Sequence, residues 1–161
     1  MEELLKKISN YQIFNYLFPG ALVTYYLEKL YQISLGEKNI FIVLCCYYVI
    51  GLITSRLGAL SIETTIKLFI SFVSYSDYIK ATKKDPIIHG MMSIANMYRT
   101  LCIIPLLMLI LGPFKTNTQH IPITFYILTA IAFFVFLFSY IRQIVFIIQR
   151  AHTALHKQQG A

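Results

Sequence analysis

The residues whose types and spacing best suit chemistry lie near the C-terminus, in the run Arg150-Ala-His152-Thr-Ala-Leu-His156. An arginine can hold a phosphate, and a histidine nearby can move a proton. The arrangement works when the pair converges and a second subunit supplies another copy. A separation of six residues is about 240° around a helix, so the two side chains point apart unless the helix frays. Solvated groups at a helix end are the simpler reading, since cations there also suit the helix dipole. Glu63 and Asp77 are the interior carboxylates, and no spacing rule unites them. His89 and His120 fall on opposite sides of the membrane in the topology derived below, so they cannot share a metal. Cys45, Cys46 and Cys102 all sit in apolar runs, which suits packing rather than disulfides or zinc. The sequence has no glycine-rich phosphate loop, nucleophile elbow or H-E-x-x-H motif. No catalytic residue, metal or cofactor is therefore expected, and the chain reads as non-enzymatic.

The elements that carry these residues are those of a membrane protein. Only 13% of residues are charged and 57% are hydrophobic, against about 25% charged in soluble domains. The N-terminus, MEELLKKISN, is charged and amphipathic, with no cleavage signal after it, so the first span would act as the insertion signal. Residues 1–161 form a single all-α domain with four expected spans. The first runs from about Tyr11 to Leu30 and is kinked at Pro19. In a second arrangement, residues 2–17 lie along the interface and a shorter helix starts at Pro19. The kinked span is favoured because residues 11–18 are apolar nearly all round. The second span, Asn39–Ser55, continues as a helix toward Val73. Asp85-Pro86 caps a helix that enters the third span, LCIIPLLMLILGPF, where Pro105 kinks rather than ends it. Ile121–Tyr140 is the fourth span and continues past the membrane.

The apolar faces beyond these spans require partners. The insertion 56–99 is expected to pack on the C-terminal extension 142–157 as a cytosolic helical subdomain. Basic residues set the orientation. Residues 56–99 hold six Lys and Arg, and the tail holds Arg142, Arg150 and Lys157. The other connections hold Lys29, Lys38 and Lys115. Both termini are thus expected in the cytosol, with Arg56, Arg99 and Arg142 at the membrane boundary. Gly51, Ser55 and Ala59 recur every fourth residue and would allow close helix packing. Glu63 stands four before Lys67, the favoured ion-pair orientation. Lys80, Lys83 and Lys84 form a basic surface for anionic lipid or an acidic partner. Nucleic acid is not an expected partner. No charge lies deep in a span and no internal repeat is visible, which argues against a self-contained transporter. Tyr25, Tyr26, Tyr47, Tyr48, Thr54 and Ser55 could line a polar path between subunits, although aromatic anchoring explains them as well.

The segments NYLFPG, SRLGALSIE, SDYIKATKKD and NMYRT, all within residues 10–100, resemble small multi-span membrane proteins of bacterial antiviral defence loci. These include the membrane accessory proteins of type VI-B CRISPR systems. The resemblance implies an inner-membrane accessory or effector, a homo-oligomer that acts on membrane permeability. It also allows a membrane anchor or sensor that docks a soluble defence protein. The Arg150/His156 spacing is similar to the Arg-x4–6-His pattern of HEPN ribonucleases, which implies a nuclease as a third possibility. The four-span pattern departs from that mainly soluble fold.

Overall fold

A computed structural model describes residues 12–31, 39–112 and 122–156. Lys38, Lys115, His120, Lys157 and the proposed interfacial stretch before residue 12 lie outside the described residues. Every regular element among the described residues is helical. Helix α1 spans Gln12–Tyr31 and runs through Pro19 without a break. The helix that would start only at Pro19 is therefore not formed. Asn39 opens α2, its side chain accepting from the Phe41 N–H at 3.0 Å. Helix α2 extends over Ile40–Lys67 and contains a π turn at Ala59–Glu63. It ends at Lys67, short of the expected Val73, and residues 71–74 are irregular.

Helix α3, Tyr75–Lys84, has Ser74 at its N-cap, which accepts from the Asp77 N–H. Asp77 in its first turn and Lys83 and Lys84 in its last turn match the helix dipole. Asp85 then caps α4, Ile87–Leu111, by accepting from the Ile87 N–H at 3.2 Å. Pro86 opens the turn with φ −61° and needs no donor there. Pro105 sits inside α4, which continues past it. Helix α5, Ile123–His156, is a single rod of 34 residues.

Among the described residues, three helices, α2, α4 and α5, are long and apolar enough to cross a membrane. Gln12, Asn15, Glu28, Lys29 and several tyrosines keep α1 out of that group. The outward residues of α2 include Ile40, Phe41, Val49 and Ile53, and those of α5 include Ile127, Ile131, Phe134 and Phe138. Such faces would be costly in water, at about 25 cal/mol per Å². Hydrocarbon accepts them, because a helix satisfies its own backbone polar groups.

Helices α4 and α5 form one closely packed pair, and α1 and α2 form the other. The first pair holds the core, in which Ile88, Ala95, Cys102, Tyr140, Ile144 and Ala151 are buried. Ala81 of α3 joins this core, which places α3 against the C-terminal part of α5. The second pair is held by glycines. A Cβ at Gly20 would lie 1.7 Å from the Tyr47 carbonyl oxygen, and one at Gly51 would lie 1.7 Å from the Tyr16 carbonyl oxygen. Each helix thus presents a bare Cα to the other's carbonyl, the approach in which Cα–H···O contacts form at helix interfaces.

Candidate functional site

The polar side chains that converge do so where α2 leaves regular geometry. In a π turn each bond spans five residues instead of four. The extra residue rotates everything beyond it by about 100° relative to an unbroken α-helix. Arg56, Glu63 and Lys67 would share one face of a regular helix. Here Arg56 stays exposed, while Glu63 turns toward α4. Gly58, just before the turn, lets α4 come close. A Cβ there would lie 3.2 Å from the Arg99 carbonyl oxygen. Back-bonds from Ser61 to the Leu57 carbonyl and from Thr65 to the Ser61 carbonyl flank or overlap the same turn, and such bonds bend helices.

Glu63 is the hub of this site. One carboxylate oxygen accepts from the Arg99 guanidinium, and the other lies 2.8 Å from Lys67 Nζ. The Arg99 side chain is only 13% exposed and that of Glu63 22%. Tyr140 of α5, fully buried, lies beside Glu63 and Arg99. One carboxylate therefore ties α2 to α4, next to α5. A charged pair this far from water needs its hydrogen bonds complete, since desolvation opposes it.

Polar contacts continue from this hub along the bundle interior. Thr100 Oγ1 donates to Ser55 Oγ at 3.2 Å, and Asn15 Nδ2 donates to Ser93 Oγ at 3.4 Å. Between these groups lies a cavity of about 70 Å³, lined by Asn15, Ser55, Ser93, Asn96, Arg99 and Thr100 among others. Arg99 Nε has no hydrogen-bond partner among the described residues. The cavity has both the room and the polar groups to hold ordered water. Glu63 itself lines a second, larger and mostly apolar cavity of about 400 Å³.

The residues singled out by sequence divide between this site and the surface. Gly51 meets α1 and Ser55 meets α4, both buried, whereas Ala59 is half-buried and Gly58 takes the closer contact. Arg99, read from sequence as a boundary residue beside Arg56, is turned into the bundle. Arg142 is exposed and stacks over the Phe146 ring at 5.4 Å. Lys80, Lys83 and Lys84 are exposed on α3, and Lys80 approaches Asp77 at 3.9 Å. Arg150 donates from Nε to Asp85 at 2.6 Å. Helix α5 stays intact through His156, and His152 and His156 stack on each other with centroids 6.2 Å apart. The structure does not bring Arg150 and His156 together. Glu63 and Asp77 are likewise apart, each with its own basic neighbour. Cys102 is buried, while Cys45 is exposed on the outer face of α2.

Comparison with family models, with curated proteins and with solved structures gives no match. The site therefore stands on its own geometry. Sequence reasoning missed the Glu63–Arg99–Tyr140 cluster and the polar groups Asn15, Ser93, Asn96 and Thr100. The available signal was that Glu63 and Arg99 are isolated charges on otherwise apolar helix faces. Intramembrane and near-membrane charges of that kind usually have partners.

Proposed function

We propose that this chain is a non-enzymatic, four-span protein of the bacterial inner membrane. In this reading it assembles as a homo-oligomer and acts on membrane permeability as an effector or accessory in antiviral defence. Helix α1 is the fourth span. Its support is that α1 lies along α2, and that Asn15 and Tyr26 contact Ser93 and the Met108 carbonyl of α4. Those contacts set α1 alongside α4 over 11 of its own residues, about 16 Å of helix. Both termini and α3 then lie on the cytosolic side, where basic residues are concentrated.

The observation that carries the permeability reading is the division between surface and interior. The outer faces of α2 and α5 are apolar, whereas Asn15, Ser93, Asn96, Thr100, Glu63 and Arg99 gather inside. A polar seam with room for water at the inner end of the spans is the kind of element that a gate uses. Triggered expression should collapse membrane potential, read with a voltage-sensitive dye, and detergent-purified protein should run as a closed oligomer. A monodisperse monomer with normal potential would defeat the proposal.

A second reading is favoured by α3, whose Lys80, Lys83 and Lys84 are exposed beside the packed core. In it, the chain is a membrane anchor that docks a soluble defence partner on that basic helix. Potential then stays normal, and a pull-down with α3 intact captures a partner that charge reversal releases.

A further inference from the structure

We infer that the cavity beside Glu63 and Lys67 binds a single-tailed anionic amphiphile of the long-chain carboxylic acid class. The cavity measures about 400 Å³, and Phe72, Val73, Met92, Ile144, Ile147 and Ile148 contribute to its walls. That is the lower part of the range for small-ligand sites, which are mostly apolar with a few polar groups at one place. It suits one flexible chain and not two. The polar groups are Glu63, Lys67, Tyr75 and Tyr78. Glu63 is already shared by Arg99 and Lys67, so two cations face one carboxylate. The local charge is therefore positive. Lys67 is 53% exposed and uses one of its donors on Glu63, which leaves donors for a second carboxylate. A monovalent head matches this single residual charge.

The surroundings point to a ligand that arrives from lipid. Leu68 and Phe69 lie between the lining residues Lys67 and Phe72, and they are 79% and 83% exposed. Tyr75, which also lines the cavity, is 80% exposed. Exposed Leu68 and Phe69, next in sequence to a lining residue, and the amphipathic Tyr75 ring suit the headgroup level of a bilayer, where aromatic groups concentrate. A fatty acid in the adjacent leaflet would slide its tail between α3 and α5 and leave its carboxylate at Lys67. Binding there is independent of whether the chain conducts ions. Its consequence is a second claim on Lys67, which already bonds Glu63.

The test is native mass spectrometry of the full-length purified protein, titrated separately with palmitate, hexadecanol, cetyltrimethylammonium and phosphatidylglycerol. Palmitate should saturate at one per chain, and the neutral and cationic amphiphiles should bind more weakly. Lys67→Gln, at a half-exposed position, should weaken palmitate by about tenfold, the loss of one charged hydrogen bond. Val73→Trp should fill the cavity and abolish binding. Circular dichroism of both variants checks the fold, and Lys67→Gln alone decides the matter if Val73→Trp is misfolded. Palmitate uptake that never saturates, or equal binding of hexadecanol, would overturn the proposal. So would an unchanged affinity in Lys67→Gln, or preferential retention of phosphatidylglycerol.

Discussion

Glu63 should matter more to stability than the arginine it holds, and the asymmetry can be worked from the contacts. Removing one partner of a buried ion pair costs about 3–5 kcal/mol, because the other charge is left without compensation. Glu63→Met strands Arg99, which is 13% exposed and has no other carboxylate contact in the described bonds. A loss of about 3 kcal/mol is expected, at the low end because some solvent reaches the pair. Arg99→Met leaves Glu63 with Lys67 at 2.8 Å and with its own 22% exposure. The expected loss is about half as large, since the remaining pair still neutralises the carboxylate. The double replacement Glu63→Met/Arg99→Met strands no charge at the pair itself, and apolar substitutes for buried pairs are often tolerated. It should cost no more than Glu63→Met alone, which gives a coupling energy of at least about 1.5 kcal/mol. The assay is unfolding in mixed micelles with rising SDS, followed by the helical circular dichroism signal. Additive single losses would refute the coupling, and a larger loss for Arg99→Met would refute the asymmetry.

Other consequences are more local. Gly51→Ala places a methyl group 1.7 Å from the Tyr16 carbonyl, so α1 must move away, at a cost of about 1–3 kcal/mol as in other overpacked sites. Gly90→Ala is the matched control: nothing lies within 4 Å of a Cβ there, and the same micelle unfolding should show a gain of up to about 1 kcal/mol from helix propensity. Reporter fusions at Ala161 and near Thr118 should report opposite compartments, and a periplasmic signal at Ala161 would remove the four-span topology. Lys80→Glu/Lys83→Glu/Lys84→Glu should weaken triggering without changing the melting of the assembled protein, because all three side chains are exposed on α3.

The all-helical class and the membrane-capable helices were legible because hydropathy reports long apolar runs directly. Local signals were equally readable where a side chain acts on its own backbone. Ser74 and Asp85 cap helices in the structure much as their neighbours Asp77 and Pro86 imply. The candidate site was not legible, and the reason is geometric. Counting residues along α2 assumes a constant 100° step, and the π turn at Ala59–Glu63 breaks that assumption before Glu63. The count placed Glu63 on the face of Arg56, whereas the fold gives it to Arg99. Gly20 shows a second limit. The every-fourth-residue pattern drew attention to Gly51, Ser55 and Ala59, but the partner glycine on α1 follows no such spacing. It is defined only by what lies across the interface, the Tyr47 carbonyl. Arg99 shows a third. A lone arginine near an apolar run gives no sign of its ion-pair partner, the carboxylate 36 positions earlier in the chain.

Ion flux through reconstituted protein tests the central claim most directly. Purified full-length chain would be placed in phosphatidylcholine–phosphatidylglycerol vesicles with an imposed potassium gradient and a voltage-sensitive dye. Asn96→Leu, which replaces a polar residue lining the interior cavity with an apolar one, would be run beside the unaltered chain. The account predicts that the unaltered protein dissipates the gradient once triggered and that Asn96→Leu, folded and assembled to the same extent, slows the dissipation. Equal dissipation by both proteins, or a gradient that the unaltered protein leaves intact, would contradict it.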